Sequence, residues 1–188
     1  MSKVEQAVKN LEKAMSEEGV NPINGLPEEL FVFATTLMPV PNIDLFITNQ
    51  SGQVLLTWRD DRYYGIGWHI PGGCIRMRET LESRIQKTAL NELGAKVDYD
   101  TEPIVVREAF VNESRPWLKN QLERAHNISL LFQCRLPDGF EIDNGKLQEH
   151  DAGYAKWFDS IPSDLLKAHK DLYGDIFDKW FSKREIRK

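Results

Sequence analysis

The stretch GWHIPGGCIRMRETLESRIQKTALNELGA, residues 67–95, decides how the rest of the chain is read. Trp68, His69 and Ile70 have the apolar, aromatic character of a strand end, and Pro71-Gly72-Gly73 cannot continue a regular strand or helix. Two adjacent glycines let backbone approach a ligand closely. From about Thr80 to Leu93 the pattern turns helical, with Leu81, Ile85, Ala89 and Leu93 four apart, the spacing of a buried stripe. Glu92 falls inside that stripe: at about 100° per residue it projects between the directions of Leu81 and Ile85, toward packed or cleft-lining surface. An unpaired buried carboxylate is costly, so Glu92 requires a cation, either a metal or one of Arg84, Lys87 and Arg59.

Upstream, residues 2–18 place Val4, Ala7, Val8, Leu11, Ala14 and Met15 on one helical face, with Gly19 as the stop, which predicts a packing or dimer-contact extension. A breaker-rich loop leads to Pro27-Glu28-Glu29, the first turn of a second helix reaching about Met38, and Pro39 and Pro41 end it. Residues 42–49 read as a strand, residues 50–53 as a turn and residues 54–59 as the hairpin partner. Downstream, residues 104–111 and 126–136 read as strands. The polar segment NESRPWLKNQLERA between them reads as a loop near a substrate. A turn at Pro137-Asp138-Gly139, an acidic connection over 140–149, a short strand at Trp157-Phe158 and a helix over 163–184 complete an α+β layout, a mixed sheet between helices. The expected division is an N-terminal helical extension over 1–25 and a domain over 26–188.

With 188 residues the chain is long enough for one domain with its own core. A net charge of -5 excludes a protein that coats nucleic acid with a dominant basic face, though local basic groups can still take a small anionic substrate. No apolar run approaches the roughly 20 residues that cross a bilayer, and the first residues do not read as a signal peptide. Cys74 and Cys134 are neither a disulfide framework nor a zinc set, so a cytoplasmic location is expected.

The central stretch resembles the Nudix hydrolase box, a glycine, five residues, a glutamate, seven residues, then Arg-Glu-aliphatic-x-Glu-Glu-x-Gly-aliphatic. Gly73 and Glu79 keep the first separation, and Lys87, Thr88, Ala89, Asn91, Glu92, Gly94 and Ala95 fill the second half in register. Lysine stands for the arginine, and Thr88 and Asn91 for two glutamates, so Glu92 alone remains of those metal-binding carboxylates. The GDP-mannose mannosyl hydrolase branch is similar in these losses. It is also similar at Leu26-Pro27-Glu28-Glu29-Leu30-Phe31, at Ile43-Asp44-Leu45, at the strand ending in Arg59, and at Glu149-His150-Asp151 with Tyr154-Ala155-Lys156-Trp157. That resemblance covers residues 26–160. It implies that the Gly72 carbonyl, Glu92 and Glu149 hold one Mg²⁺, that His150 is the general base, and that Asp44 and Arg59 grip sugar and diphosphate. It also implies a homodimer acting on a nucleotide sugar. Cys74, Lys87 and Asn127 depart from that branch, which expects arginine, arginine and tyrosine there.

The implied chemistry is coherent. Mg²⁺ takes about six oxygens, commonly one or two carboxylates with substrate phosphates and water. One ion bridging a diphosphate neutralises a leaving group, which suits carbon-oxygen cleavage at an anomeric carbon, and water attacking there directly inverts it. His150, with an ordinary pKa near 6.5, suits proton transfer from that water. Plainer readings stand beside these: His150 as an exposed loop residue, Asp44 and Arg59 as a cross-strand ion pair, His69 and His126 as packed, hydrogen-bonded side chains, and His169 as a surface residue. The alternatives to a nucleotide-sugar hydrolase are an enzyme cutting the diphosphate bond of another nucleotide, or a catalytically silent nucleotide-binding domain.

Overall fold

The structure, a computed structural model, describes residues 1–61, 63–110 and 126–185. Helix α1 is Lys3–Glu17; Ser2 caps it by accepting from the Glu5 N–H at 3.1 Å, while the Glu5 carboxylate accepts from the Ser2 N–H at 2.6 Å. None of its residues is buried, and Val4 and Val8 face solvent. Helix α2, Glu28–Thr35, stops short of Met38 because the residue before Pro39 is steered out of helical conformation. The strands are β1 Val40–Ile47, β2 Val54–Asp61, β3 Gly65–His69, β4 Gly72–Cys74, β5 Asp98–Tyr99, β6 Val105–Phe110, β7 His126–Arg135 and β8 Ala155–Phe158. Helix α3 is Leu81–Leu93 and α4 is Lys167–Glu185.

One sheet runs β4-β1-β7-β5, with β6 also on β7; β1 and β7 are parallel and the other pairs antiparallel. The second runs β3-β2-β8, all antiparallel. Alternation along the strands sends side chains to two cores. Ile43, Leu45, Ile47 and Leu55 join Ile85 and Ala89 of α3 in one. Phe46, Leu56, Trp58, Trp68 and Ile70 join Tyr173 and Phe177 of α4 in the other. Each such aliphatic or aromatic side chain, fully covered, stabilises the fold by about 1.5–3 kcal/mol.

The α+β layout with a mixed sheet between helices is therefore the observed one, with differences in detail. The hairpin expected between β1 and β2 is reduced to one isolated bridge, Thr48 with Val54, because the two strands belong to different sheets. Gly72 and Gly73 do continue as a strand: β4 pairs with β1, Gly72 opposite Asp44. A Cβ on Gly72 would lie 2.2 Å from Asp44 Oδ1, so only glycine lets that pair close. Leu81 is exposed, while Arg84 and Thr88 are buried beside Ile85 and Ala89, since the helix turns its stripe toward Glu79 at one end and the cleft at the other. The last helix begins at Lys167, with Leu165 and Leu166 buried just before it. His169, expected at the surface, is buried against His69 and Tyr173. The expected substrate loop over 112–125 lies outside the described residues. No helix among the described residues is long and apolar enough to cross a membrane.

Candidate active site

Two ends of α3 set two carboxylates in different surroundings. Thr80 caps the helix by accepting from the Ser83 N–H at 3.1 Å, which fixes Glu79 just outside the first turn. There Glu79 accepts from Arg84 Nε at 2.8 Å and Nη2 at 3.0 Å, from Lys87 Nζ at 2.9 Å, and from the Arg76 N–H at 3.0 Å. Burial raises its pKa and these donors outweigh that, holding the carboxyl down at about 2. Arg84 and Lys87, both candidate partners for Glu92, are thus committed elsewhere.

Glu92 is the penultimate residue of α3, which Gly94 closes in the left-handed conformation at φ 71°. Its Oε1 accepts from the Gly72 N–H at 3.2 Å and its Oε2 from the Thr57 hydroxyl at 2.9 Å. Among the described residues no lysine or arginine nitrogen comes within 4.0 Å of it, and burial pushes its pKa up against the field of Arg59. The side chain keeps 22% of its surface exposed. That surface opens on a cleft of about 700 Å³, lined also by Thr57, Arg59, His69, Phe140 and Leu147.

The wall behind Glu92 is one face of the β2–β3 pair. Thr57 lies opposite His69, and Thr57 Oγ1 is 2.9 Å from His69 Nε2. His69 Nδ1 is 2.8 Å from the Ile70 carbonyl, and the Ile70 N–H donates to His169 Nδ1 at 3.2 Å. Burial and the Arg59 charge drive the pKa of both histidines down, His169 to about 3. Arg59, two residues past Thr57 on the same face, has Nε 3.3 Å from Asp61 Oδ2 and its guanidinium carbon 5.1 Å from the Tyr64 ring centre. Asp61 is itself fixed, accepting from the N–H groups of Tyr63 at 2.7 Å and Tyr64 at 2.8 Å.

The remaining residues singled out from sequence are dispersed. Asp44 is buried behind Gly72, where Tyr173 donates to Oδ2 at 2.5 Å; burial pushes its pKa up to about 6, against Tyr173, Arg59 and Ser129. It makes no ion pair with Arg59 among the described residues, so the cross-strand bridge is absent. Glu149 is exposed and bound to Lys156 Nζ at 2.7 Å. His150 takes a positive φ of 79°, its ring 4.2 Å from that of Trp58 and its Nε2 3.8 Å from Asp164 Oδ2. Trp58 and Trp68 point to the α4 side of the sheet, so His150 stands on the opposite face from Thr57 and Glu92. The structure brings Glu92, Gly72 and Arg59 together, with Asp44 one strand behind. It does not bring Glu149 or His150 to the same cleft.

Thr57 and Tyr173 were not singled out by sequence, and His69 only as a packed side chain. Thr57 had a signal: it precedes Arg59 by two, the same-face spacing of a strand. Tyr173, 129 positions from Asp44, had none.

A magnesium ion fits this donor set in one form only. Among the described residues no three acidic, cysteine or histidine side chains converge as a metal cage. Glu92, without a cationic partner within 4.0 Å and beside an arginine, on a cleft whose lining also carries Asp60 and Asp143, matches an ion carried largely by substrate phosphates and water.

Comparison with known proteins agrees with this architecture. The family model of the NUDIX domain matches residues 38–175. The low-salt glycan biosynthesis protein Agl8 of Haloferax volcanii is 29% identical over 158 residues, covering 84% of this chain and 94% of that protein. A NUDIX hydrolase from Nitrosomonas europaea superposes with a TM-score of 0.55 at 19% identity, over 78% of this chain and 73% of that one. An ADP-ribose pyrophosphatase from Streptococcus suis gives a TM-score of 0.51 at 17% identity, over 78% and 92%. At such identities the two structures establish likeness of fold alone. The strand-glycine-helix unit, the Glu79 cluster at its start and the domain match across most of the chain make this protein a member of the Nudix hydrolase family.

Proposed function

We propose that the protein is a Mg²⁺-dependent hydrolase of nucleoside diphosphate sugars, with GDP-mannose-like compounds as the substrate class. The observation that carries the proposal is Glu92, a cleft-facing carboxylate held by the Gly72 N–H and the Thr57 hydroxyl and left without a cation of its own. The Haloferax relative is named as a glycan biosynthesis protein, which supports a sugar-containing substrate.

Magnesium, when bound, supplies charge neutralisation on the diphosphate. Glu92 would hold the ion, with the Gly72 carbonyl and Glu149 as the further donors in this reading. Arg59, aimed by Asp61 and Tyr64, meets the phosphate oxygens with its remaining N–H groups. Asp44 acts on the sugar side through the Gly72 backbone that it abuts. Phe140 and Leu147 supply the apolar wall that excludes water from the bound sugar or base. His150 takes the proton of the attacking water, so that carbon-oxygen cleavage releases free sugar and nucleoside diphosphate. That role needs the turn around residues 148–151 to carry Glu149 and His150 to the Glu92 face when substrate binds.

A second reading, cleavage within the diphosphate, draws on the presence of Asp60 and Asp143 in the lining of the same cleft, which offers further carboxylates to a second ion. Products separate the two. Incubation with Mg²⁺ and a panel of nucleotide sugars is expected to yield free sugar plus nucleoside diphosphate, and His150→Gln to lower kcat by about 10²- to 10⁴-fold. Sugar phosphate plus nucleoside monophosphate, with His150→Gln active, would select the second reading. Binding without turnover of any panel member would leave a nucleotide-binding domain.

A further inference from the structure

Helix α1 presents an apolar seam that the rest of the described chain leaves uncovered. Val4, Ala7, Leu11 and Ala14 recur at alternating steps of three and four, the spacing of a coiled-coil seam, and Val8 and Met15 widen the stripe on one side. No residue of the helix is buried. Val4 is 72% exposed, Val8 48% and Leu11 39%, while Met15 is half-buried, so the helix meets its domain at the C-terminal end and leads away from it. With 15 residues α1 is near the length at which an isolated helix is only marginally stable, and packing of an amphipathic face supplies most of what holds helices in proteins. The capping box of Ser2 and Glu5 secures the first turn and leaves the seam as it is.

We propose that this seam is the interface with a second copy of the chain, the two α1 helices packing antiparallel about a twofold axis at Asn10. Charge along the seam selects that occupant. On the flank away from Val8 and Met15 the border positions are Lys3, Asn10 and Glu17. Antiparallel packing sets this border against the same border of the copy, so Lys3 faces Glu17 of the partner subunit, the pair recurs by symmetry, and the two Asn10 side chains meet between them. Parallel packing would set Lys3 against Val8 of the partner subunit, with no counter-charge. Within one chain Lys3 and Glu17 are about 21 Å apart along the axis, at 1.5 Å per residue, so they do not neutralise each other. Glu17 does pair with Lys13 at 3.6 Å, but both side chains are largely exposed, which leaves the carboxylate open to a second cation. Glu5 and Glu12 lie outside the seam, beyond Val8 and Met15. A membrane surface fits less well: three lysines balance three glutamates over α1, whereas helices lying in a bilayer interface are rich in Lys and Arg.

Sedimentation equilibrium of the full chain is compared for the wild type, Leu11→Asp, Lys3→Glu, Glu17→Lys, and Lys3→Glu combined with Glu17→Lys. The wild type is expected to show a reversible monomer–dimer equilibrium, and Leu11→Asp only monomer at concentrations where the wild type is half dimeric. Each single charge reversal sets like charges against each other at both symmetry-related pairs and is expected to weaken the dimer by about tenfold; the double swap is expected to restore it. Because no residue of α1 is buried, all variants should keep the wild-type urea midpoint at dilutions where every form is monomeric. A wild type that stays monomeric overturns the proposal, as does a Leu11→Asp variant that dimerises as tightly as the wild type. A double swap no tighter than either single reversal overturns the antiparallel pairing. Cosedimentation of a monomeric wild type with phosphatidylglycerol vesicles, lost in Leu11→Asp, would make the seam a membrane face instead. None of these readouts uses the cleft, so they decide the seam apart from the reading of Glu92.

Discussion

Glu79 and Glu92 bracket the same helix and have opposite electrostatic fates. The Glu79 side chain is 4% exposed and is met by a forked arginine, a lysine and a backbone N–H. Glu92, partly open to the cleft, receives one hydroxyl and one N–H, and the nearest fixed positive field is that of Arg59. A carboxylate whose charge the fold itself neutralises is part of the structure. One that the fold desolvates and leaves without a counter-ion is a place where a cation can be added from outside.

The largest effect expected from this contrast is on activity. Glu92→Gln keeps the shape and an oxygen to accept from the Gly72 N–H, its NH2 then facing the Thr57 oxygen as a donor, while removing the charge that would hold Mg²⁺. Turnover of the substrate found in the panel should fall by about 10²- to 10³-fold, the scale of several kcal/mol that a metal supplies to developing charge. Stability should move the other way. Burial raises the folded pKa of Glu92 above its ordinary 4.5, so its contribution is favourable below that pH and is lost as pH rises through the folded value. The glutamine variant should therefore match or exceed wild-type stability at neutral pH in urea unfolding, and Mg²⁺ should raise the melting temperature of the wild type only. A variant that unfolds more easily and still turns over substrate would make Glu92 a structural residue like Glu79.

The second effect belongs to Glu79. Removing its charge leaves Arg84, 5% exposed, without a partner, a change that typically costs about 3–5 kcal/mol. The depressed pKa gives a similar figure: lowering from 4.5 to about 2 corresponds to stability on the order of 3 kcal/mol. That stability is present above pH 4.5 and is lost as pH falls through the folded value near 2. Glu79→Gln should thus lose on the order of 3 kcal/mol at pH 7 in urea unfolding, with the gap to wild type closing between pH 4.5 and pH 2. A gap that does not change over that window would mean that the cluster is held by shape and not by charge.

Much of this contrast can be read in the sequence, for a local reason. Gly73, Glu79, Glu92 and Gly94 are fixed relative to one another by a short loop and the 3.6-residue period, so spacing alone predicts where α3 starts, which way Glu92 points and where the helix stops. What spacing could not give is partner choice. Arg84, Lys87 and Arg59 were equal candidates for Glu92, and only the loop over residues 76–79 brings Glu79 back onto Arg84 and Lys87. The division of β1 and β2 between two sheets was equally hidden, because a strand-turn-strand pattern looks the same whether its halves pair or part. Asp44 looked like a strand-edge charge or a sugar contact. Its burial depends on Tyr173 and on a glycine that lets it pass, neither of which periodicity relates to it. His150 lies beside Glu149 in sequence, yet the alternation that turns Trp58 to the α4 side takes the histidine with it.

The smallest effect tests the interior of the Glu79 cluster. Lys87 and Arg84 both bind Glu79 Oε1, at 2.9 and 3.0 Å, and from the contact distances alone they would be equals. Their surroundings differ: the Lys87 side chain is 55% exposed and the Arg84 side chain 7%. An ammonium already hydrated on one side gains little from the ion pair and loses rotamer freedom, which limits an exposed pair to less than about 1 kcal/mol. A buried guanidinium with two parallel bonds to one carboxylate has no such alternative in water. Lys87→Met should therefore cost less than about 1 kcal/mol in urea unfolding, where Arg84→Met costs about 3 or more. Equal losses would show that Glu79 is satisfied by two cations in concert, and its contrast with Glu92 would then rest on their number. Unequal losses explain why the box tolerates lysine at position 87: the bidentate duty lies three residues earlier, at Arg84, and a point charge suffices for what remains.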